Sequence, residues 1–66
     1  MTLEQLLAEI EQSAFVRYCE CDSEMLSEVA LHDYESDAKP VADAKRRALV
    51  RARKWHDAMA HLATMR

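Results

Sequence analysis

The longest periodic pattern of the chain lies in its second half. Apolar residues recur there at spacings of three and four, which place them on one helical face: Val41, Ala44, Ala48, Ala52, Trp55, Met59 and Leu62. Such spacing matches the 3.6-residue turn of an α-helix. Pro40, a residue favoured in the first turn of a helix, stands just before the pattern. We therefore predict a helix from about residue 40 to residue 64.

This apolar face changes in side-chain size along its length. Its first half is built from alanines up to Ala52, and its second half consists of Trp55, Met59 and Leu62. Alanine allows two helix backbones to approach closely, whereas large side chains hold them apart. We expect a neighbouring helix to pack tightly near Ala48 and to diverge near Trp55.

The first half of the chain opens with a signal for a helix start. Thr2 and Gln5 have the spacing of a capping box, in which each side chain binds the backbone amide of the other residue. Apolar residues then follow at helical spacing: Leu3, Leu6, Leu7, Ile10, Ala14 and Tyr18. These positions predict a first helix over about 3–19.

A second helix is predicted over about 23–35. Asp22 or Ser23 can cap its start, and acidic residues such as Glu24 follow where a helix N-terminus favours negative charge. Its apolar positions are Met25, Leu26, Val29 and Ala30. The sequence leaves open a single continuous helix through residue 34.

The composition supports an all-α chain that forms a single domain over 1–66. Half of the residues are hydrophobic, there is one proline, and there is no glycine. Tight hairpin turns and phosphate-binding loops both depend on glycine, so its absence argues against a β-sheet and against a nucleotide site. The sequence therefore predicts two or three helices, the C-terminal one being the longest.

The length of the chain predicts self-association. One hydrophobic core in a chain of this size rarely contributes more than about 3–5 kcal/mol, and small proteins often add a partner subunit. The C-terminal helix is also too long for one short neighbour to cover. We expect it to pack antiparallel to helix 1 and a second copy to complete an antiparallel helical-bundle homodimer. The predicted dimer core is Leu6, Leu7, Ile10, Ala48, Ala52, Trp55, Met59 and Leu62.

The charges of the two halves have opposite sign. Residues 1–38 carry ten acids and one base, while residues 39–66 carry eight bases and two acids, for a net charge of −3. This asymmetry favours attraction between the two segments of the folded chain, and the alternative is a basic surface for nucleic acid. In that alternative, a small transcriptional regulator would contact phosphates through Arg46, Arg47, Arg51, Arg53 and Lys54. Overall acidity makes a protein partner the preferred prediction.

The residues capable of metal binding or catalysis have poor spacing for either. Zinc sites usually begin with cysteines separated by two to four residues, whereas Cys19 and Cys21 enclose only one. His32, His56 and His61 show no ligand spacing, and the acids Asp33, Glu35 and Asp37 lack the glycine and the distal glutamate of a calcium loop. A pairing of either cysteine with His32 belongs to no catalytic motif. We expect no metal, no cofactor and no enzymatic activity.

The remaining apolar residues predict a contact surface for another protein. Phe15 and Val16 lie off the main apolar face of helix 1 and are flanked by Glu11 and Arg17, which is the composition of an interface anchor with a charged rim. Tyr34 is assigned to the same surface. Neither an export signal nor an apolar run long enough to cross a membrane is present, so we expect a cytoplasmic protein.

In its general character, a short, glycine-free, amphipathic chain without a catalytic motif, the sequence is similar to small accessory proteins of phages and mobile elements. The resemblance implies a regulator or inhibitor that binds a larger protein of the host. It concerns the character of the whole chain and no particular residue.

Overall fold

The computed structural model describes residues 1–65 and confirms an all-helical fold. Its three helices are α1 (Leu3–Glu20), α2 (Leu26–Tyr34) and α3 (Lys39–Thr64), and no strand occurs in this part of the chain. The predicted capping box is present at the start of α1. The backbone amide of Gln5 donates to Thr2 Oγ1 at 3.2 Å, and the backbone amide of Thr2 donates to Gln5 Oε1 at 3.0 Å.

The first two helices are separate, and the second is shorter than predicted. α1 ends at Glu20, and the backbone of the next residue, Cys21, is extended. The carbonyls of Asp22 and Ser23 then accept bonds from Met25 and Leu26, which forms a turn, and the cap of α2 is Met25 without a side-chain bond. The predicted caps at Asp22 and Ser23 were therefore wrong, because both residues lie within the turn that reverses the chain.

The relative directions of the helices correct a second prediction. Contacts between α1 and α3 keep nearly the same sequence separation, from Glu11 with Arg47 to Tyr18 with His56, so these helices run parallel. Contacts of α2 run the other way, with Ser27 beside Arg53 and Tyr34 beneath Arg46. The predicted antiparallel packing of α1 and α3 fails because α2 is a helix of its own and reverses the chain a second time.

The core is formed where all three helices meet. Its buried residues are Ala14, Tyr18, Leu26, Ala30, Ala48, Leu49 and Ala52. The alanines of α3 thus lie where close helix packing was expected. Leu49 was absent from the predicted apolar face because it lies about 100° from Ala48 around the helix, on the side that α2 covers.

Candidate interaction surfaces

The first half of the apolar face of α3 is covered by the rest of the chain. Ala44, Ala48 and Ala52 have no exposed surface. Two neighbouring helices pack against this half, α1 on one side and α2 on the other. Small side chains let both helices approach the α3 backbone, so this half serves the chain's own fold.

The second half of the same face is uncovered, and we call Trp55, Met59 and Leu62 the α3 strip. Their exposed fractions are 39%, 41% and 54%. The cause is a difference in length: α1 reaches its end beside His56, whose Nε2 lies 3.0 Å from the Tyr18 carbonyl oxygen. α3 continues to Thr64, so Met59 and Leu62 extend beyond the helix that covers the alanines.

Four exposed carboxylates lie at the same end of the molecule as the α3 strip, and we call them the acidic turn: Glu20, Asp22, Glu24 and Glu28. The segment carrying them starts beside His56 and reaches α2 beside Arg53, where the Arg53 guanidinium donates to Ser27 Oγ. The acidic turn therefore lies at the level of the first residues of the strip. The sequence did not indicate this proximity, because it depends on the chain reversing after α1.

A second uncovered surface runs along α1. It is a groove of about 470 Å³ between α1 and its neighbours, and we call it the α1 groove. Its lining residues are Leu6, Glu9, Ile10, Ser13, Ala14, Arg17, Asp33 and Lys45. Asp33 of α2 and Lys45 of α3 line it opposite α1, and Leu6 of α1 stays exposed.

The predicted dimer-core residues are divided among three places. Ala48 and Ala52 are buried inside the single chain and cannot touch a second copy. Leu6, Leu7 and Ile10 lie toward the N-terminal end of α1, and the α3 strip lies at the other end of the molecule. Because α1 and α3 are parallel, these two apolar groups belong to separate surfaces.

The opposite charges of the two halves of the chain meet across α1 and α3. Glu11 accepts from Arg47 Nε at 2.7 Å and from Arg51 Nη1 at 3.2 Å. Arg51 also bonds to Gln12 at 3.5 Å, and its guanidinium carbon lies 4.2 Å from the centre of the Phe15 ring. External partners were predicted for Arg47, Arg51 and Glu11, but in the structure these three residues bind one another.

The other basic residues predicted to contact nucleic acid differ in how many bonds they form within the chain. Arg46 pairs with Asp43 at 3.6 Å and stacks over the Tyr34 ring, and Arg53 bonds to Ser27. Lys54 forms no ion pair with another residue of the described chain. Internal bonds therefore interrupt the row of basic side chains that would contact phosphates. Nucleic-acid binding stays an untested prediction.

The predicted protein-contact residues are not brought together on one open surface. Phe15 and Tyr34 are half-buried against the core, each beneath an arginine. Val16 is exposed, and Arg17 Nη2 lies 2.9 Å from Asp33 Oδ1. The α3 strip presents three large side chains in one row, whereas Val16 is a single exposed one.

The cysteines lie in an environment that disfavours the reactive thiolate. Both are half-buried and pack against the core, and burial raises the pKa of the Cys19 and Cys21 thiols above the ordinary value. Cys21 Sγ donates to the Tyr18 carbonyl oxygen at 3.1 Å. His32 lines a different surface groove with Leu31. Within residues 1–65 no group of three or more histidine, cysteine or acidic side chains is arranged to hold a metal ion.

Tyr18 carries the one polar side-chain atom in the described chain that is fully buried without a hydrogen-bond partner, its hydroxyl oxygen. Burial raises the pKa of this phenol well above its ordinary range, and the nearby Asp33 carboxylate adds to the rise. The hydroxyl therefore stays protonated inside the core.

None of the three helices described in residues 1–65 combines the length and the apolar character required to cross a bilayer. Comparisons with protein-family models, with curated proteins and with solved structures found no match.

Proposed function

We propose that this chain is a small, non-enzymatic protein-binding module that forms a homodimer and binds a larger protein, whose activity it modulates. One observation carries the proposal. The apolar face of α3 is buried over its alanines and exposed over Trp55, Met59 and Leu62. No further helix of residues 1–65 covers this second half, so it is open to a partner.

The residue types of the α3 strip support a protein partner. Tryptophan is enriched among the residues that dominate binding energy, and adjacent apolar side chains exclude water around it. Methionine adapts its shape to irregular partner surfaces. A row of three such side chains at one end of a small helical unit is a suitable anchor for a larger protein.

The α1 groove supports self-association along α1. Leu6 is 44% exposed in this groove, and α1 of a second copy would cover it. In a two-fold dimer the same surface serves both copies, so Leu6 and Ile10 of each chain would fill the groove of the other. This arrangement leaves both α3 strips free for the larger protein.

Self-association is tested by measuring molar mass in solution with light scattering during gel filtration. We expect a dimer for the wild type and a shift towards monomer for Leu6→Ser, since the serine removes apolar surface from the groove. Val16→Ser is the matched control, because Val16 lies on the same helix with 47% exposure against 44% for Leu6. A monomeric wild type at micromolar concentration would contradict the dimer.

Binding of a larger protein is tested by affinity capture from an extract of the source cells, followed by mass spectrometry. A double variant, Met59→Ala with Leu62→Ala, should lose the captured protein. Val50→Ala should retain it, because Val50 is comparably exposed but lies on the opposite face of α3. Unchanged capture by the double variant would overturn the assignment of the strip.

The regulatory part of the proposal follows from size and from the resemblance to accessory proteins of phages and mobile elements. A 7.6 kDa chain that anchors itself to a larger cytoplasmic protein can block a site by occupying it. Inhibition of the captured protein's own activity, abolished by the same strip variant, is the expected result.

A further inference from the structure

We infer that the α3 strip and the acidic turn together bind a basic amphipathic helix of the partner protein. This inference rests on the proposed function and specifies the chemistry of the partner at that surface.

The apolar part of the surface fits a helix. Trp55, Met59 and Leu62 stand at positions i, i+4 and i+7, the pattern by which helices pack against helices. They span about 10 Å of α3, close to two turns of a partner helix. α1 ends beside His56, so the position next to Met59 and Leu62 that a longer α1 would fill is open. A partner helix placed there would continue the packing that α1 begins.

The charge around the strip selects a basic helix. The acidic turn contributes four exposed carboxylates, and none of them is in an ion pair with another residue of the described chain. The C-terminus of α1, which carries partial negative charge from the helix dipole, lies at the same end. The basic residues near this level include Arg17, which is paired with Asp33, Arg53, which is bonded to Ser27, and Lys54.

The charges around the α1 groove are arranged differently from those of the acidic turn. The α1 groove has both signs on its rim, with Arg17 paired to Asp33 and Lys45 paired to Asp37. Its charges are therefore largely satisfied within the chain. The four carboxylates of the acidic turn are not in such ion pairs and lie together, which favours a partner with positive charge beside the α3 strip.

The single tryptophan of the chain makes the inference directly measurable. Trp55 is part of the strip and partly exposed to water, so its fluorescence emission should shift to shorter wavelength when a partner covers it. The probe is a helical peptide of about 18 residues, five turns, with leucines on one face and lysines on the other. A second peptide keeps the leucines and replaces every lysine with glutamate.

We expect the lysine peptide to bind at least about ten times more tightly than the glutamate peptide at low salt, with this preference falling as salt screens the charges. Glu24→Gln with Glu28→Gln should reduce the preference. Glu4→Gln with Glu9→Gln is the matched control, because it removes two carboxylates from the opposite end and should leave the preference unchanged.

The outcomes separate this inference from the proposed function. Equal binding of both peptides, lost in Leu62→Ala, would leave the strip as a binding surface and overturn its selectivity for basic helices. An emission shift that depends on protein concentration without any peptide would show a second copy on the strip and overturn the inference. Peptide binding that is unaffected by Leu62→Ala would contradict both.

Discussion

The two halves of the apolar face of α3 have the same periodicity and opposite environments. Ala44, Ala48 and Ala52 are fully buried, whereas Trp55, Met59 and Leu62, the larger side chains, are exposed. Burial along one helix therefore does not follow side-chain hydrophobicity. It follows the reach of the neighbouring helices, since α1 ends at Glu20 and α2 begins at Leu26.

The two halves of the apolar face of α3 therefore differ in their contributions to folding and to binding. The alanine half contributes close packing of α1 and α2 against α3, and its small side chains make that packing possible. The strip carries larger apolar side chains, but 39–54% of their surface stays exposed to water. Variants in the two halves should therefore have different effects on the free energy of unfolding and on binding.

Among substitutions on the apolar face of α3, the largest effect is expected from enlarging the covered half. Ala48→Leu places three additional carbon atoms in a site with no exposed surface, so overpacking should lower the free energy of unfolding by about 1–3 kcal/mol. Urea unfolding followed by circular dichroism measures this change. Ala60→Leu is the control, because Ala60 is exposed on the same helix and the same substitution should cost less than about 0.5 kcal/mol there. Equal effects of both would refute the contrast.

A smaller effect is expected from the ion pairs that hold α1 beside the covered half. Glu11→Gln removes the carboxylate shared by Arg47 and Arg51, and should lower the free energy of unfolding by about 0.5–1 kcal/mol at low salt. The loss should shrink at about 1 M salt, where charges are screened. Glu9→Gln, which removes a carboxylate outside these pairs, should be near neutral. A loss that is independent of salt would point to packing.

The buried hydroxyl of the core gives a third test. Tyr18→Phe should leave the free energy of unfolding unchanged at neutral pH or raise it by up to about 1 kcal/mol, because the hydroxyl has no bonding partner. The pKa of Tyr18 is raised in the folded chain, whereas an unfolded tyrosine ionises near 10.0. Wild-type stability should consequently fall as the pH rises above about 10, and the phenylalanine variant should lack that part of the loss.

Unfolding curves at about pH 8 and about pH 11 would decide this point, with the two chains compared at each pH. A phenylalanine variant clearly less stable than the wild type at pH 8 would show that the hydroxyl has a favourable bond, with Asp33 as its nearest acceptor.

The smallest effect on stability is expected in the exposed half. Leu62→Ala should change the free energy of unfolding by less than about 0.5 kcal/mol, while Leu26→Ala, which truncates a core leucine with 2% exposure, should cost about 2–5 kcal/mol. Both are measured by urea unfolding at one low protein concentration. A large loss from Leu62→Ala would mean that the strip is buried in the folded species, and dilution would then reveal an oligomer.

Several features of the fold were readable from local patterns. The capping box of Thr2 and Gln5, the proline beside the start of α3 and the spacing of three and four in α3 predicted helix starts and the long C-terminal helix. Each of these signals acts within a few residues, through backbone hydrogen bonds and side-chain periodicity. For that reason they can be read from the sequence without the tertiary structure.

The turn after α1 was harder to anticipate. Asp22 and Ser23 favour helix caps and turns by the same backbone bonding, so the sequence could not separate the two roles. In the structure they form a turn that separates α2 from α1 and reverses the chain. The chain reverses again after α2, so α1 and α3 run parallel. This path also brought the acidic turn beside the α3 strip, a proximity that no spacing in the sequence expresses.

Local sequence alone determined that the chain is helical, where α1 starts and which side of α3 is apolar, because these depend on interactions between residues one or two turns apart. Only the tertiary structure decided that the alanines are buried while Trp55, Met59 and Leu62 are not, that Leu49 is part of the core, and that Glu11 pairs with Arg47 and Arg51. Those outcomes depend on where each helix ends and which neighbour it meets, and such distances are set by the path of the whole chain.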